Sequence, residues 1–357
     1  MCRLGYGKNK TPMNEEKLYR GPSGKGPKIV AIGGGTGLST MLRGLKRHTN
    51  NLTAIVTVAD DGGGSGVLRQ ELGMLPPGDI RNCLEALANV EPLMGELLHY
   101  RFTEGSLKGQ SFGNLFLAAL NGISGGSFEQ AVSRMSQVLA ITGRVLPVTT
   151  ANVQLEAELE NGARVLGESK IFYCKKREDC RIRRVRLLPE RPPALESALE
   201  AIREADMILL GPGSLYTSII PNLLVEGIAQ AIMDSDALKI YIANVMTQEG
   251  ETEGYTNADH IQAIFQHSLP GLFHLCLANS ANIPADILSR YAQEGAEQLR
   301  FDKEACARLG VELVSRPVST TRRGFVRHDS ELLAAALLEL HAQKSVRIAG
   351  LGRYRME

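Results

Sequence analysis

No apolar run in this 357-residue chain approaches the roughly 20 residues of a membrane-spanning helix, which argues against membrane insertion. Neither sign of charge dominates: 40 Lys and Arg stand against 39 Asp and Glu, for a net charge of +1. That balance excludes a general pull toward nucleic acid or acidic membrane, so any phosphate is met at a local site. Paired cysteine motifs are missing as well. Cys2, Cys83, Cys174, Cys180, Cys276 and Cys306 are scattered. The closest pair, Cys174 and Cys180, is too far apart for a CxxC zinc motif and has no companion pair. Free thiols in a reducing compartment, the cytoplasm, are the expectation. Met1 to Pro27 lacks the apolar segment of a secretory signal and reads as a disordered leader. There is no HExxH, no nucleophile elbow and no Ser-His-Asp spacing. His260 near Asp259 and His328 beside Asp329 read as structural or exposed.

What is present is a 43% hydrophobic composition, ample for a buried core, and a strand–helix–strand opening. Lys28 to Ile32 reads as a buried parallel strand, Leu38 to Lys46 as a helix and Leu52 to Val58 as the next strand. Helices are expected over Asp79–Tyr100, Asn114–Asn121, Phe128–Leu139 and Pro192–Ala205. Further buried strands are expected at Met207–Leu210, Leu238–Ala243 and Leu272–Ala278, and a closing helix over Glu331–His341. Between them, Val145–Val148, Val153–Leu159 and Arg164–Ile171 alternate apolar and polar residues, and Asn161-Gly162 is a hairpin signal. The expected fold is therefore α/β: a Rossmann-related, mostly parallel sheet flanked by helices, with an antiparallel subregion around 145–190. The basic stretch from Lys175 to Arg186 reads as the solvated edge of that subregion. One domain over 28–341 and a C-terminal tail over 342–357 complete the organisation.

Ligands of open parallel sheets bind beyond the carboxyl ends of the strands, and several strand ends here carry suitable chemistry. Gly33-Gly34-Gly35-Thr36-Gly37 follows a strand and opens a helix. Glycines let backbone N–H groups approach an anion, and the helix N-terminus adds positive potential. No Gly-Lys-Ser/Thr follows, so this is not a P-loop, nor is it a strict GxGxxG. Asp60-Asp61-Gly62-Gly63-Gly64-Ser65-Gly66 reads as a flexible loop. Its paired acids, Asp60 and Asp61, suit a ribose, a base edge or a divalent metal such as Mg²⁺ bridging phosphates. Asp79 is either a helix cap or a ligand-facing acid. Gly211, Gly213 and Ser214, with Tyr216, Thr217 and Ser218 behind them, form a second candidate anion cradle. Asn244 and Thr247 occupy a polar strand end that can read a sugar or base, whereas Met246 reads as core.

Taken together, IGGGTGLSTMLRGLK, TVADDGGGSGVLR, LPPGDIRNCL, SFGNL, LGPGSLYTSIIPNLLV and NVMTQEGETEGYT resemble the gluconeogenesis-factor (YvcK-like) family over roughly residues 28–341. That family is related to the CofD-like 2-phospho-L-lactate transferases. The resemblance implies a CofD-like fold, cytoplasmic location, and a role in carbon metabolism and in cell-wall and cell-shape maintenance. It further implies binding of UDP-sugars, notably UDP-N-acetylglucosamine, with no required cofactor and no established reaction. Homodimers, cell-wall synthesis proteins and a regulatory kinase are the partners it suggests. The SFGNL motif adds Asn114 to the candidate ligand residues. The family's UDP-sugar tyrosine and arginine match Tyr291 and Arg327, and Ser330 stands where some members carry a phosphorylated threonine. Arginine suits a diphosphate through charge-assisted bidentate hydrogen bonds, and tyrosine can stack on a base or sugar. The transferase branch is expected to follow its Asp-Asp loop with a Ser-Pro-Asp-type segment; Leu75 to Asn82 departs from that pattern. A Mg²⁺-dependent transferase acting on a nucleotide-diphosphate-linked substrate is the alternative function. A dinucleotide-dependent oxidoreductase is disfavoured by the irregular glycine motif.

Overall fold

The computed structural model describes the backbone of residues 26–353 and the side chains of 26–343. Seven strands form one wholly parallel sheet: β1 (Ile29–Gly33), β2 (Leu52–Val56), β3 (Arg144–Pro147), β7 (Met207–Leu210), β8 (Leu238–Ile242), β9 (Leu275–Asn279) and β10 (Glu312–Arg316). Their order is β10-β9-β8-β7-β1-β2-β3. The central strands β1, β2 and β7 are buried along their whole length. This is why they read as continuous apolar runs: both faces are covered by helices. The chain winds outward from β1 in one direction through β2 and β3, and from β7 in the other through β8 to β10. The point of reversal lies between β1 and β7.

Helix Gly35–Leu45 presents Leu38, Met41, Leu42 and Leu45 to the core, all fully buried. It packs against helix Gly78–Leu87 and the last helix, Ser330–Arg353. Truncating Leu42 to alanine would cost about 2–5 kcal/mol. Gly44 permits the last contact, because a Cβ there would fall on the carbonyl of Ser330.

Several sequence expectations are corrected. The helix expected over Asp79–Tyr100 is two, Gly78–Leu87 and Pro92–His99. Pro92 has no N–H to continue the first and instead sits in the first turn of the second. The loop Gly62–Gly66 is mostly helical, since helix Gly63–Leu72 begins inside it. The 145–190 region divides: β3 is the parallel edge of the main sheet, while β4 (Gln154–Leu159), β5 (Arg164–Leu166) and β6 (Ile182–Leu188) form a separate antiparallel sheet in the order β5-β4-β6. The Asn161-Gly162 turn joins β4 to β5 as read. The strand expected to reach Ile171 ends at Leu166, where Gly167 turns the chain at φ 109° into helix Glu168–Glu178. The basic stretch 175–186 is split between that helix and β6. Lys175, far from being solvated, is buried and paired with Glu253.

The closing helix starts at Ser330 and continues to Arg353, past the boundary expected at 341. The leader expected over 1–27 lies almost wholly outside the described residues. Unforeseen in the sequence was the hairpin of β11 (Ser319–Arg322) and β12 (Phe325–His328) that precedes the last helix.

Candidate functional site

The turn after β1 is shaped by close approach. A Cβ on Gly34 would lie 2.5 Å from Asp79 Oδ2 and 2.9 Å from Thr57 Cγ2. One on Gly37 would lie 2.7 Å from the Pro212 carbonyl oxygen. Gly35 has φ +67°, the left-handed region that favours glycine. A side chain at 37 would therefore push apart the turns that follow β1 and β7, and one at 34 would displace Asp79 and Thr57. These turns meet at the reversal point of the sheet, where ligands of such folds are bound.

A cavity of about 400 Å³ opens there. It brings together ten of the residues singled out in the sequence: Gly34, Gly35, Thr36 and Gly37 from the first turn, Gly213 and Ser214 from the second, Asn244 and Thr247 from the end of β8, and Tyr291 and Arg327. Asn244 Nδ2 donates to the Gly213 carbonyl (2.9 Å), and Ser214 Oγ donates to Gln248 Oε1 (2.8 Å), which ties the β7 turn to the β8 loop. Thr247 Oγ1 accepts from Glu297 N (2.8 Å). Met246 belongs to a small core with Val245, Ile283 and Val326, as its residue type suggested. Tyr291 packs on that core, and its hydroxyl accepts from Val326 N (3.0 Å). Arg327 is exposed at the cavity wall, with its guanidinium 5.8 Å from the Phe325 ring centre and no acidic partner among the described residues.

Five candidates lie elsewhere. Gly211, at φ +84°, donates its N–H to Ile32 O and shapes the β7 turn from beneath. Asn114 is buried in the first turn of helix Phe112–Ile123, its N–H on Ser111 Oγ. Asp60 Oδ1 accepts from Gly62 N (2.8 Å), and Ser65 is buried beside the same carboxyl. Asp61 Oδ1 accepts from Ser169 N (2.8 Å) and borders a second cavity with Arg69 and Lys170. Each carboxylate thus takes a backbone N–H of its own, and the charge of Asp61 bears on Asp60. No group of three or more His, Cys, Asp or Glu side chains is arranged to hold a metal among the described residues.

Behind the glycine turn lies a set of buried acids that sequence reading missed or left open. Asp79 is no cap: helix Gly78–Leu87 has no side-chain cap bond, and the Asp79 carboxyl instead takes the N–H of Gly35. Burial, then the charge of Asp60, push its pKa up to about 6, against the pull of that N–H. Burial likewise raises Asp60. Glu168 is pushed to about 8 by burial and by Asp60, Asp61, Asp79 and Glu251. Burial lifts Glu251 to about 7, although it accepts from Tyr216 N (2.8 Å) and Thr217 N (3.1 Å). Within the second candidate cradle, the N–H groups of Tyr216 and Thr217 are thus taken by the protein's own carboxylate, whereas Gly213 and Ser214 line the cavity. Acids crowded this closely share protons near neutral pH.

The two histidines singled out in the sequence differ in place: His260 lies in the core, whereas His328 also lines the cavity. His260 is fully buried with Nδ1 2.9 Å from the Thr256 carbonyl, and burial lowers it to about 4. Asp259 meanwhile completes a capping box with Thr256. His328, also lowered to about 4 by burial, lies against the Ala243 carbonyl, and Asp329 caps the last helix at Glu331 N and Leu332 N. Ser330 is the first residue of that helix.

Residues 29–319 match the family model of 2-phospho-L-lactate transferase CofD. A relative from Thermoanaerobacterium thermosulfurigenes is 55% identical over 315 residues, covering 88% of this chain and 97% of its own. The gluconeogenesis factor of Bacillus subtilis (strain 168) is 49% identical over 318 residues, 89% of this chain and 99% of its own. The crystal structure of a UPF0052-family protein from Bacillus halodurans superposes with a TM-score of 0.83 at 47% identity, over 87% of this chain and 99% of that one.

Proposed function

We propose, from the premise that this chain belongs to the CofD family among the gluconeogenesis factors, that it binds a UDP-sugar, UDP-N-acetylglucosamine, in the cavity between β1 and β7. In this reading it is a regulatory factor of the cytoplasm that links the precursor pool to cell-wall and cell-shape maintenance. The observation that carries it is the convergence of a glycine turn at a helix N-terminus, an arginine without an acidic partner and Tyr291 on one cavity. A helix N-terminus and a free guanidinium are the donors a diphosphate needs. The cavity also falls within the size range of small-ligand sites. Isothermal titration with UDP-N-acetylglucosamine, UDP-glucose, GDP and NAD is the test. Saturable binding restricted to UDP compounds supports the reading; binding of GDP alone would sink it.

A second reading, a transferase acting on a nucleotide-diphosphate-linked substrate, is favoured by the family's description and by the acids Asp60, Asp79 and Glu168 close to the glycine turn. Were Mg²⁺ bound, Asp60 and Asp61 would hold it, and it would supply charge neutralisation at the diphosphate. Consumption of UDP-N-acetylglucosamine with candidate acceptors, absent in Asp79→Asn, would establish it. A homodimer, a cell-wall synthesis partner and phosphorylation at Ser330 complete the proposal. Light scattering, crosslinking and mass spectrometry of the native protein test them in turn.

A further inference from the structure

The structure assigns to Phe325 the platform on which the nucleobase of the cavity's ligand stacks. This rests on the reading that the cavity takes a nucleoside diphosphate sugar, and it fixes which way that ligand runs: phosphates at the glycine turn, base at the β11–β12 hairpin.

Alternation along β12 separates the side chains. Val326 is buried in the small core beneath the hairpin, so Phe325 and Arg327 stand on the opposite face. Phe325 is 51% exposed, an unusual state for a phenylalanine that also lines a cavity. Two guanidiniums orient it: Arg290 at 5.4 Å and Arg327 at 5.8 Å from the ring centre. Both lie in the range of cation–π attraction. Arg290 reaches the ring by crossing the hairpin turn at Gly324, where a Cβ would meet its Nη1 at 2.5 Å. The result is an aromatic surface held at a set angle at the cavity rim, beside the arginine suited to a diphosphate.

Tyr291, the other aromatic side chain of this wall, is committed elsewhere. Its ring packs against the core of Val245, Met246, Ile283 and Val326, and its hydroxyl accepts the Val326 N–H. It braces the platform rather than being the platform. Stacking tolerates any base, because every base has a π-face; Phe325 therefore sets where the base goes, and not which base is taken.

The chain contains no tryptophan, so Phe325→Trp places a single indole at the rim. Titrating this variant with UDP-N-acetylglucosamine, UDP and inorganic pyrophosphate, with calorimetry alongside, should quench the fluorescence with the two uridine compounds and leave it unchanged with pyrophosphate. Phe325→Leu should lose about 5- to 150-fold in affinity for UDP, the range spanned by one base–aromatic stack, and keep its affinity for pyrophosphate. Indole emission unmoved at calorimetric saturation, or wild-type UDP affinity in Phe325→Leu, overturns the platform and leaves the UDP-sugar reading intact. Wild-type protein that binds no uridine compound removes both.

Discussion

The hydroxyl of Tyr291 accepts a 3.0 Å hydrogen bond from the backbone N–H of Val326, one residue before Arg327. The tyrosine thereby holds the strand that carries the arginine. Tyr291→Phe keeps the ring and removes the bond. The expected result is about a 3- to 10-fold loss of UDP-sugar affinity, since a bond of this kind contributes about 0.5–1.5 kcal/mol. A tyrosine that merely stacked on the ligand would tolerate phenylalanine, and calorimetry separates the two roles.

Arg327 is exposed, makes no ion pair among the described residues, and rests over the Phe325 ring. Arg327→Ala should lower affinity for UDP-N-acetylglucosamine by about tenfold or more, the scale of a charge-assisted pair, while the melting temperature stays within a degree or two. Arg327→Lys should recover only part of the loss, because an ammonium lacks the planar fork. Unchanged binding in the alanine variant removes the residue from the site.

Gly37→Ala separates steric from chemical effects at the turn. Its new methyl would meet the Pro212 carbonyl, a backbone group, with no flexible side chain to yield. Overpacking of this kind costs about 1–3 kcal/mol. Both stability and binding should fall together, as read by denaturant titration and calorimetry.

Asp79 holds the N–H of Gly35 in the glycine turn, and burial with the charge of Asp60 pushes its carboxyl up to about 6. Below that pH it is neutral; above it, an anion stands behind the diphosphate site. Affinity should therefore fall as pH rises from 5 to 8, by about 3- to 10-fold at such a separation. Asp79→Asn, which still accepts the N–H, should bind more tightly at pH 8 and show a flatter profile. An equally steep profile in the variant would assign the titration to another group.

Glu168 bears on stability. Its ordinary value of 4.5 is raised to about 8 in the folded chain, so the native state keeps a proton that the unfolded state has lost. The stability associated with that proton is full below pH 4.5 and is lost as pH climbs through 8. Glu168→Gln should match the wild type near pH 4.5 and exceed it at pH 9, by up to about 5 kcal/mol if the whole shift is expressed, measured by urea unfolding at the two pH values.

The glycine turn was legible because its code is local: an apolar run, glycines, then helical spacing, all within Ile29–Leu45. The break at Pro92 was equally local, but the apolar residues around it kept helical spacing and masked it. The alternation of Arg164–Ile171 continued past Gly167 although the chain had already turned there, since amphipathic strand and helix patterns overlap over so few residues. The β11–β12 hairpin turns on Arg323-Gly324 where the usual signal is Asn-Gly or Asp-Gly; both residues take positive φ, 49° and 75°. Asp79 could be resolved only once Gly34 was seen to leave room for its carboxyl. Glu168 and Glu251 carried no sequence signal, because what distinguishes them is the company of acids from distant segments. Tyr291 and Arg327 were recognised through family resemblance alone, and the spatial reason for pairing them is the bond between Tyr291 and Val326.

The walls of the cavity come from Gly34 near one end of the chain and His328 near the other. The cavity therefore exists only where segments distant in sequence have docked. A ligand that binds only the completed form lengthens that form's survival in proportion to its own abundance. On the proposed UDP-sugar reading, the amount of this protein in the cell would then itself register the supply of that ligand, through turnover and without any change in synthesis.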